Sequence, residues 1–280
     1  MDNKSKMSWE DAVSFLQNSK EHERLIYNSY LSKNLIQNCE RFYSSKEFSE
    51  VIEIIKNEAP YAIKVLDLAA GNGIASYALA KSGYDVTALE PDNSIIVGRG
   101  AIEAVKNLIN LPNIKIIDGY GENLPFNDSM FDVVYVRQAL HHANNLGKML
   151  KEIYRVLKVN GLLIATREHV VDNYGRGLKK FLNNHPINKL YGGENAFIYK
   201  DYINEIKKSN LKILYALTPY QSEINVTQGS FEELKKDLLG SFPGKVMKHF
   251  FSDDLIYKVG LKIMKMRKKQ GRLYSFIAKK

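Results

Sequence analysis

Hydrophobic residues recur with the period of an α-helix through the first sixty positions of the chain. The segments "WEDAVSFL" and "EFSEVIEIIKNEA" carry apolar residues at helical spacing, and Pro60 closes the second. We therefore predict an N-terminal helical lid over residues 1–60. In it, Tyr27, Tyr30 and Tyr43 either cover a ligand or belong to the core.

From residue 61 the period changes, and short apolar strands alternate with helices. The strands predicted are "AIKVLDL", "YDVTALE", "NIKIID", "FDVVYV", "GLLIATRE", "LKILYAL" and "GRLYSFIA". This alternation predicts an α/β fold with a doubly wound, mostly parallel seven-stranded sheet, in which ligands bind at the carboxyl ends of the strands. We assign residues 61–280 to this domain, with substrate-cap insertions at about 170–200 and 228–270, the second of them helical and placed before the last strand.

The turn in "VLDLAAGNG", residues 65–73, combines an acid with residues that have almost no side chain. A strand, a glycine turn and a helix together present backbone N–H groups to a ligand. A dinucleotide fingerprint would use Gly71 and Gly73, but it expects glycine or alanine where this chain has Ser76, and the Asp67 carboxylate would repel a pyrophosphate. The acid favours a positively charged ligand, which makes an NAD(P)-dependent oxidoreductase the weaker interpretation.

Three further blocks follow in order: "VTALEPD", "GYGENLPFNDSMFDVVYVRQALHH" and "EIYRVLKVNGLLIATRE". With the first turn, they resemble the class I S-adenosylmethionine-dependent methyltransferases from about residue 63 to residue 168. The resemblance implies a Rossmann-like methyltransferase fold, S-adenosyl-L-methionine as cofactor and S-adenosyl-L-homocysteine as its product. The cofactor-binding residues it implies are Asp67, Ala69, Gly71, Gly73, Glu90, Pro91, Tyr120, Gly121 and Arg137, with Glu90 accepting from both ribose hydroxyls.

Two positions depart from the family pattern. Ala69 replaces the first motif glycine, a change we expect to be tolerated if the backbone there does not need a positive φ. Tyr120 replaces an aspartate that often accepts from the adenine amino group. Adenine contact then falls to the Gly121 N–H and the Tyr120 ring, with Asp118 or Glu122 as the open alternatives.

Candidate catalytic groups follow two adjacent strands. His141 and His142 come after "FDVVYV", and Glu168 and His169 come after "LLIAT". Each is a possible base for a nucleophile that must lose a proton, and Arg137 or Arg167 could hold an anionic substrate group. The structural alternative is that one histidine packs beside the cofactor, and that Asp67 and Glu90 only cap turns.

Charge and cysteine content narrow the possible partners. The formal net charge of +9 is concentrated after residue 245, so a general nucleic-acid face is not predicted. The helix predicted over residues 254–269 interleaves lysines with apolar residues, which indicates either a solvated helix on the core or weak contact with a membrane surface or an anionic carrier. One cysteine, Cys39, permits no internal disulfide, and we expect no metal site. The polar N-terminus favours a cytoplasmic protein, and the oligomeric state cannot be predicted.

Together these observations predict methyl transfer to a small-molecule nucleophile. The cap insertions favour O-methylation of a sugar, polyketide or similar metabolite. One alternative is C-methylation of a quinone-like lipid. A second alternative is that the protein binds S-adenosylmethionine without catalysing a reaction.

Overall fold

A computed structural model describes residues 7–109, 113–266 and 269–280. Its sheet has the strand order β3-β2-β1-β4-β5-β8-β7, with β6 paired to β5 off this path. The strands are β1 Lys64–Leu68, β2 Asp85–Leu89, β3 Ile114–Ile117, β4 Phe131–Arg137, β5 Leu157–Val171, β6 Phe197–Ile198, β7 Lys212–Leu217 and β8 Arg272–Lys279. Strands β1 to β6 pair in parallel, while β8 runs antiparallel to both β5 and β7. The α/β, mostly parallel fold is thus confirmed, with an eighth short strand beyond the seven predicted.

Helices cover both faces of this sheet and form the insertions. They are α1 Trp9–Gln17, α2 Glu23–Asn28, α3 Leu35–Tyr43, α4 Lys46–Glu58, α5 Ile74–Lys81, α6 Arg99–Ile109, α7 Leu146–Val156, α8 Arg176–Asn184, α9 Pro186–Leu190, α10 Tyr199–Lys208, α11 Phe231–Gly240, α12 Phe242–Met247 and α13 Asp253–Met266. Side-chain caps fix several starts: Ser8, Asn34 and Ser45 each accept a first-turn N–H.

The segment "SIIVGRGAIEAVKNLIN" predicts a helix that starts at Ser94 and stops before Pro112. The start of this helix and the start of β5 differ from the structure. Helix α6 begins at Arg99 and not near Ser94, because Asp92 and Ser94 side chains accept the N–H groups of Ser94 and Val97 and form turns in competition with a helix. Helix α7 ends at Val156, so β5 begins earlier than "GLLIATRE" suggested. The predicted end of the α6 segment before Pro112 lies outside the described residues.

The N-terminal helices divide into two pairs. Buried residues of α3 and α4, among them Phe42, Phe48 and Val51, pack into the apolar core on one face of the sheet. Helix α1 instead packs on the insertion after β5, where Leu16 meets Ile187. The lid over residues 1–60 remains a prediction, and α1 and α2 are the part of it that lies beside the insertion.

Helix α13 displays an exposed apolar stripe. Four apolar residues of the helix are exposed: Leu255, Val259, Ile263 and Met266. Ile256, by contrast, is buried. In the part of the chain with described coordinates, no helix combines the length and apolar character that crossing a membrane requires.

Candidate active site

A cavity of about 880 Å³ opens at the carboxyl ends of β1, β2, β4 and β5, a volume in the upper part of the range of about 300–1,000 Å³ typical of small-molecule sites. Most of the predicted site residues line it: Asp67, Ala69, Gly71, Glu90, Pro91, Tyr120, Gly121, Arg137, His141, His142 and His169. Gly73 and Glu168 are not in the cavity wall. The topology explains the convergence, because parallel strands end at one edge of the sheet.

The turn after β1 presents a buried acid to the cavity. The Asp67 side chain is buried, and its Oδ2 accepts the Ser76 hydroxyl at 2.6 Å. Burial raises the pKa of Asp67 to about 6. Gly73 has φ of +81°, and a Cβ there would lie 3.0 Å from the Ile102 side chain, so this glycine shapes the turn from behind the cavity wall.

Ala69 lies in the left-handed region, with φ of +57°. The expectation that the first motif position tolerates alanine rested on a backbone without positive φ, and that condition is not met. The methyl group is accommodated at the expense of backbone strain, which a glycine would not carry.

Glu90 follows β2 and faces the same cavity. Its Oε2 accepts the Gly71 N–H at 2.8 Å and its Oε1 accepts the Asp92 N–H at 2.9 Å, so the carboxylate ties the two turns together. Burial raises the pKa of Glu90 to about 7, against the lowering effect of these two N–H groups. Asp92 and Asp67 raise it further.

The segment after β3 provides a flat wall. Tyr120 is 66% exposed and lines the cavity. Of the two open alternatives for adenine contact, Asp118 pairs with Arg99 at 3.0 Å outside the cavity wall, and Glu122 Oε1 accepts the Asn144 N–H at 2.8 Å. Asp118 is therefore paired away from the cavity, whereas Glu122 lines the cavity beside Tyr120 and Gly121 and stays an open alternative.

Arg137 and Arg167 are held inside the protein. Glu47 on α4 binds the Arg137 guanidinium in bidentate fashion, Nε–Oε1 at 2.6 Å and Nη2–Oε2 at 3.2 Å. Arg167 Nη1 donates to the carbonyl oxygens of Ile224 and Val226. Both arginines line the cavity. Part of each guanidinium is already engaged, by Glu47 for Arg137 and by backbone carbonyls for Arg167, and sequence reasoning missed Glu47. A role for either arginine in holding a substrate anion stays a prediction.

Glu168 positions His141. Its carboxylate is fully buried and accepts the N–H groups of Ala139, Leu140 and His141 at 3.0–3.1 Å. The same carboxylate lies 2.6 Å from His141 Nδ1. Since every oxygen of Glu168 is engaged away from the cavity, it serves as a positioning residue and leaves Nε2 of His141 to the site.

Two further imidazoles are oriented by backbone carbonyls. His142 Nδ1 lies 3.1 Å from the Gly193 oxygen, and His169 Nδ1 lies 3.0 Å from the Gly271 oxygen. A carbonyl can only accept, so each Nδ1 carries the proton and each Nε2 has a free lone pair.

The insertion after β5 closes this end of the cavity with residues that the sequence analysis did not single out. His185 and Glu194 join the three histidines, and we call these five residues the histidine chamber. Trp9 and Tyr191, with ring centroids 5.7 Å apart, line the cavity where α1 meets the insertion. His185 and Glu194 lie on either side of α9 in the segment "HPINKLYGGENAF", and no local pattern in that segment marks them as a pair.

The chain is similar to known proteins in family, sequence and fold. Residues 66–165 match the family model described as "Methyltransferase domain". A sarcosine/dimethylglycine N-methyltransferase from Aphanothece halophytica is 32% identical over 48% of this chain and 48% of its own length. A ubiquinone/menaquinone biosynthesis C-methyltransferase from Haemophilus ducreyi is 36% identical over 36% of this chain and 40% of its own length. The chain thus spans about half the length, or less, of these curated relatives.

Solved structures share the fold over most of the chain. Phosphoethanolamine N-methyltransferase 2 from Haemonchus contortus, in complex with S-adenosyl-L-methionine, has a TM-score of 0.61 at 17% identity, covering 99% of this chain and 61% of that one. A geranyl diphosphate methyltransferase, also in complex with that cofactor, has a TM-score of 0.59 at 12% identity, covering 95% and 94%. At these identities the likeness establishes the fold.

Proposed function

We propose that the protein is a class I S-adenosylmethionine-dependent methyltransferase that transfers a methyl group to a small molecule held in the histidine chamber. The match of residues 66–165 to a methyltransferase domain supports this. The observation that carries the proposal is the pair of buried carboxylates, Asp67 and Glu90, on neighbouring strands and facing one cavity.

The residues present fit the cofactor. S-adenosylmethionine carries a cationic amino-acid end and a ribose diol, and among the described residues neither Asp67 nor Glu90 has a salt-bridge partner. Buried acids with raised pKa values are suited to a ligand that supplies positive charge and hydroxyl donors. At Gly71 a Cβ would have the Val97 oxygen at 3.9 Å as its nearest neighbour, so the turn leaves open space for a ligand.

When bound, the cofactor supplies an electrophilic methyl group on a sulfonium. The protein's part is to align the acceptor, exclude water and receive any proton that the acceptor loses. The cofactor would be held on one side of the cavity by four residues, Asp67, Glu90, Tyr120 and Gly121. Arg137 and Glu47 act as positioning residues, because their ion pair fixes the end of β4 against α4.

The acceptor side favours a hydroxyl group. His141, His142 and His169 each have Nδ1 engaged, so each can present an Nε2 lone pair to an acceptor O–H. A hydroxyl must lose its proton for its oxygen to become a stable ether, and an oriented imidazole is suited to accept it. O-methylation of a sugar or similar hydroxylated metabolite is therefore the favoured reaction, with C-methylation of a quinone-like lipid as the alternative that the Haemophilus ducreyi relative supports.

Amine methylation is a second candidate because of Glu194. Its side chain is 7% exposed and lines the cavity near the rings of Trp9 and Tyr191, an environment that suits an organic ammonium. Relatives named as amine N-methyltransferases support it.

Cofactor binding is tested by calorimetry with S-adenosylmethionine and S-adenosylhomocysteine. We expect micromolar binding that is lost in Asp67→Ala and in Glu90→Ala, while Asp128→Ala on the surface leaves it unchanged. Methyl-labelled cofactor with separate pools of polyols, amines and quinols then identifies the acceptor atom. Absence of binding to the parent protein contradicts the proposal, and binding without any labelled product identifies a non-catalytic cofactor-binding protein.

A further inference from the structure

Four of the chain's six histidines meet at one end of the cavity. The ring centroids of His141 and His142 are 4.2 Å apart, those of His141 and His169 are 4.8 Å apart, and those of His169 and His185 are 5.6 Å apart. Glu194 completes the group, with Oε2 at 3.9 Å from His141 Nε2 and Oε1 at 3.8 Å from His185 Nδ1. Methyl transfer itself does not require this density of imidazoles.

Three members of the histidine chamber have the spacing of metal ligands. His141, His169 and Glu194 each offer one ligand atom, and the three atoms lie within 4.8 Å of one another. Metal–ligand bonds to imidazole nitrogen and carboxylate oxygen are about 2.0–2.2 Å long, so adjacent ligand atoms around one ion lie roughly 3–3.5 Å apart. A side-chain contraction of about 1 Å would close the triangle on an ion.

The hydrogen-bond partners of the His141 and His169 imidazoles are of the kind that metal-ligating histidines have. Glu168 holds Nδ1 of His141 and the Gly271 carbonyl holds Nδ1 of His169. Such bonds fix the tautomer, orient the ring and leave Nε2 as the ligating atom. A carboxylate–histidine pair and a carbonyl–histidine pair are thus already assembled.

Unpartnered buried atoms point to a missing cation independently of the spacing. His185 Nδ1 is buried and has no hydrogen-bond partner in the described chain. The Glu194 side chain is more than nine-tenths buried, and its nearest basic neighbours among the described residues are two imidazole nitrogens at nearly 4 Å. A buried carboxylate without a donor is unfavourable unless a cation compensates it.

We propose that His141, His169 and Glu194 bind a divalent transition metal ion, with zinc as the best match to two imidazoles and a carboxylate, and with His185 as the nearest further ligand. This proposal departs from the expectation, drawn from the lone cysteine, that the protein has no metal site. Three protein ligands leave a position open, and we infer, resting here on the proposed function, that an oxygen of the acceptor occupies it. With the ion bound, the Nε2 lone pairs of His141 and His169 are used as ligands, so His142 is the imidazole left to receive the acceptor proton.

Zinc binding to the full chain tests the site without any need for turnover. The tag-free protein is stripped with EDTA, dialysed and titrated with ZnCl₂ by calorimetry, and with CoCl₂ by visible absorption. We expect one equivalent of Zn²⁺, and cobalt bands typical of mixed nitrogen and oxygen ligands. Affinity should fall by about 100-fold or more in His169→Ala and in Glu194→Gln, and by about 10–100-fold in Glu168→Gln, which alters only the partner of a ligand.

His249→Ala is the matched control, since this histidine is exposed on the C-terminal insertion. Glu194→Gln keeps the side-chain volume, and circular dichroism in EDTA verifies its fold. The proposed metal site is overturned if zinc affinity is equal in Glu194→Gln, His249→Ala and the parent. It is also overturned if the parent shows no stoichiometric zinc binding. S-adenosylmethionine titration of the same EDTA-treated samples separates the two proposals: cofactor binding without zinc binding refutes only the metal site, and zinc binding without cofactor binding refutes only the methyltransferase.

A different observation concerns the C-terminal insertion. In addition to the apolar stripe of α13, the segment before that helix exposes Phe242, Phe250 and Phe251. Lysines border this surface: Lys245, Lys248, Lys258, Lys262 and Lys265. Of the acids at the start of α13, Asp254 pairs with Lys235 at 2.5 Å, so the exposed lysines of the helix dominate its charge. The stripe and these lysines together are called the basic apolar face.

We also infer that the basic apolar face docks on an anionic lipid surface, because bulky apolar side chains surrounded by lysines match the boundary between acyl chains and anionic headgroups. Part of the predicted basic segment, Arg267 and Lys268, lies outside the described residues.

Vesicle flotation tests this inference. We expect the full chain to float with phosphatidylcholine vesicles containing phosphatidylserine, to float several-fold less with phosphatidylcholine alone, and to be released by salt. The triple variant Lys258→Glu, Lys262→Glu, Lys265→Glu should lose flotation, whereas Lys64→Glu, Lys115→Glu, Lys151→Glu should retain it. Equal flotation of the two triple variants, binding to RNA in place of vesicles, or self-association through this face would each overturn it.

Discussion

At the scale of single residues, Ala69 holds a backbone conformation that alanine disfavours. A non-glycine residue in the left-handed region costs about 1–2 kcal/mol, and a glycine loses about 0.5–1 kcal/mol through its freer unfolded chain. We expect Ala69→Gly to raise the free energy of unfolding by about 0.5–1 kcal/mol, measured by urea denaturation.

Ala70→Gly is the control for this change. Ala70 is buried and is not among the residues with positive φ, so glycine there brings only the entropic penalty and a lost methyl contact. It should lower the free energy of unfolding. Destabilisation by both substitutions would contradict the strain assigned to Ala69.

At the scale of elements, the turns after β1 and β2 bring Asp67 and Glu90 together at an energetic cost. The folded protein raises the pKa of Glu90 from about 4.5 in the unfolded chain to about 7, so between these values the folded state binds more protons than the unfolded state. Stability from this group is fully present below pH 4.5 and is lost as the pH rises through 7. The cause is desolvation, strengthened by Asp92 and Asp67, and opposed by the backbone N–H groups of Gly71 and Asp92.

We therefore expect Glu90→Gln to become more stable relative to the cofactor-free parent as the pH rises. The difference in free energy of unfolding between variant and parent should move by about 2–3 kcal/mol in favour of the variant between pH 4.5 and pH 8. Chemical denaturation at both values measures it. Glu152→Gln should move in the opposite direction, because Arg155 lowers the pKa of Glu152. A pH-independent difference for Glu90→Gln would contradict the desolvation argument.

The elements also show where sequence reasoning succeeds. The periodic pattern predicted the strands and the acids at their ends, because burial of a parallel strand and the position of its carboxyl end are local properties of the chain. The bidentate pair of Glu47 and Arg137 links residues ninety positions apart, and Glu194 reaches the site from a loop without periodicity. Such pairings depend on how elements pack, so no local pattern predicts them. For the same reason, no local pattern predicts the internal partners of Arg137 and Arg167, which the sequence analysis considered only as substrate anchors.

At the scale of the whole molecule, helices α1 and α2 and the insertion after β5 form one unit beside the cavity. The Met7 N–H donates to the Leu190 carbonyl at 3.2 Å, and Leu16, Ile26 and Ile187 share a small apolar cluster. This cluster is separate from the two large cores that flank the sheet. A unit with so small a core should open more readily than the sheet does.

Leu16→Ala should loosen that unit selectively. Truncating a fully buried leucine lowers the free energy of unfolding by about 2–5 kcal/mol. Here that loss falls on an apolar cluster with few members. We expect faster hydrogen exchange at residues 9–31 and 186–191 together, with unchanged protection in β1 and β4. Trp9, the one tryptophan of the chain, lines the cavity, so its emission should also shift. Leu108→Ala, at an exposed site on α6, should change none of these signals. Faster exchange in residues 9–31 without residues 186–191 would show that the N-terminal helices and the insertion open independently, contrary to the coupling that the shared cluster implies.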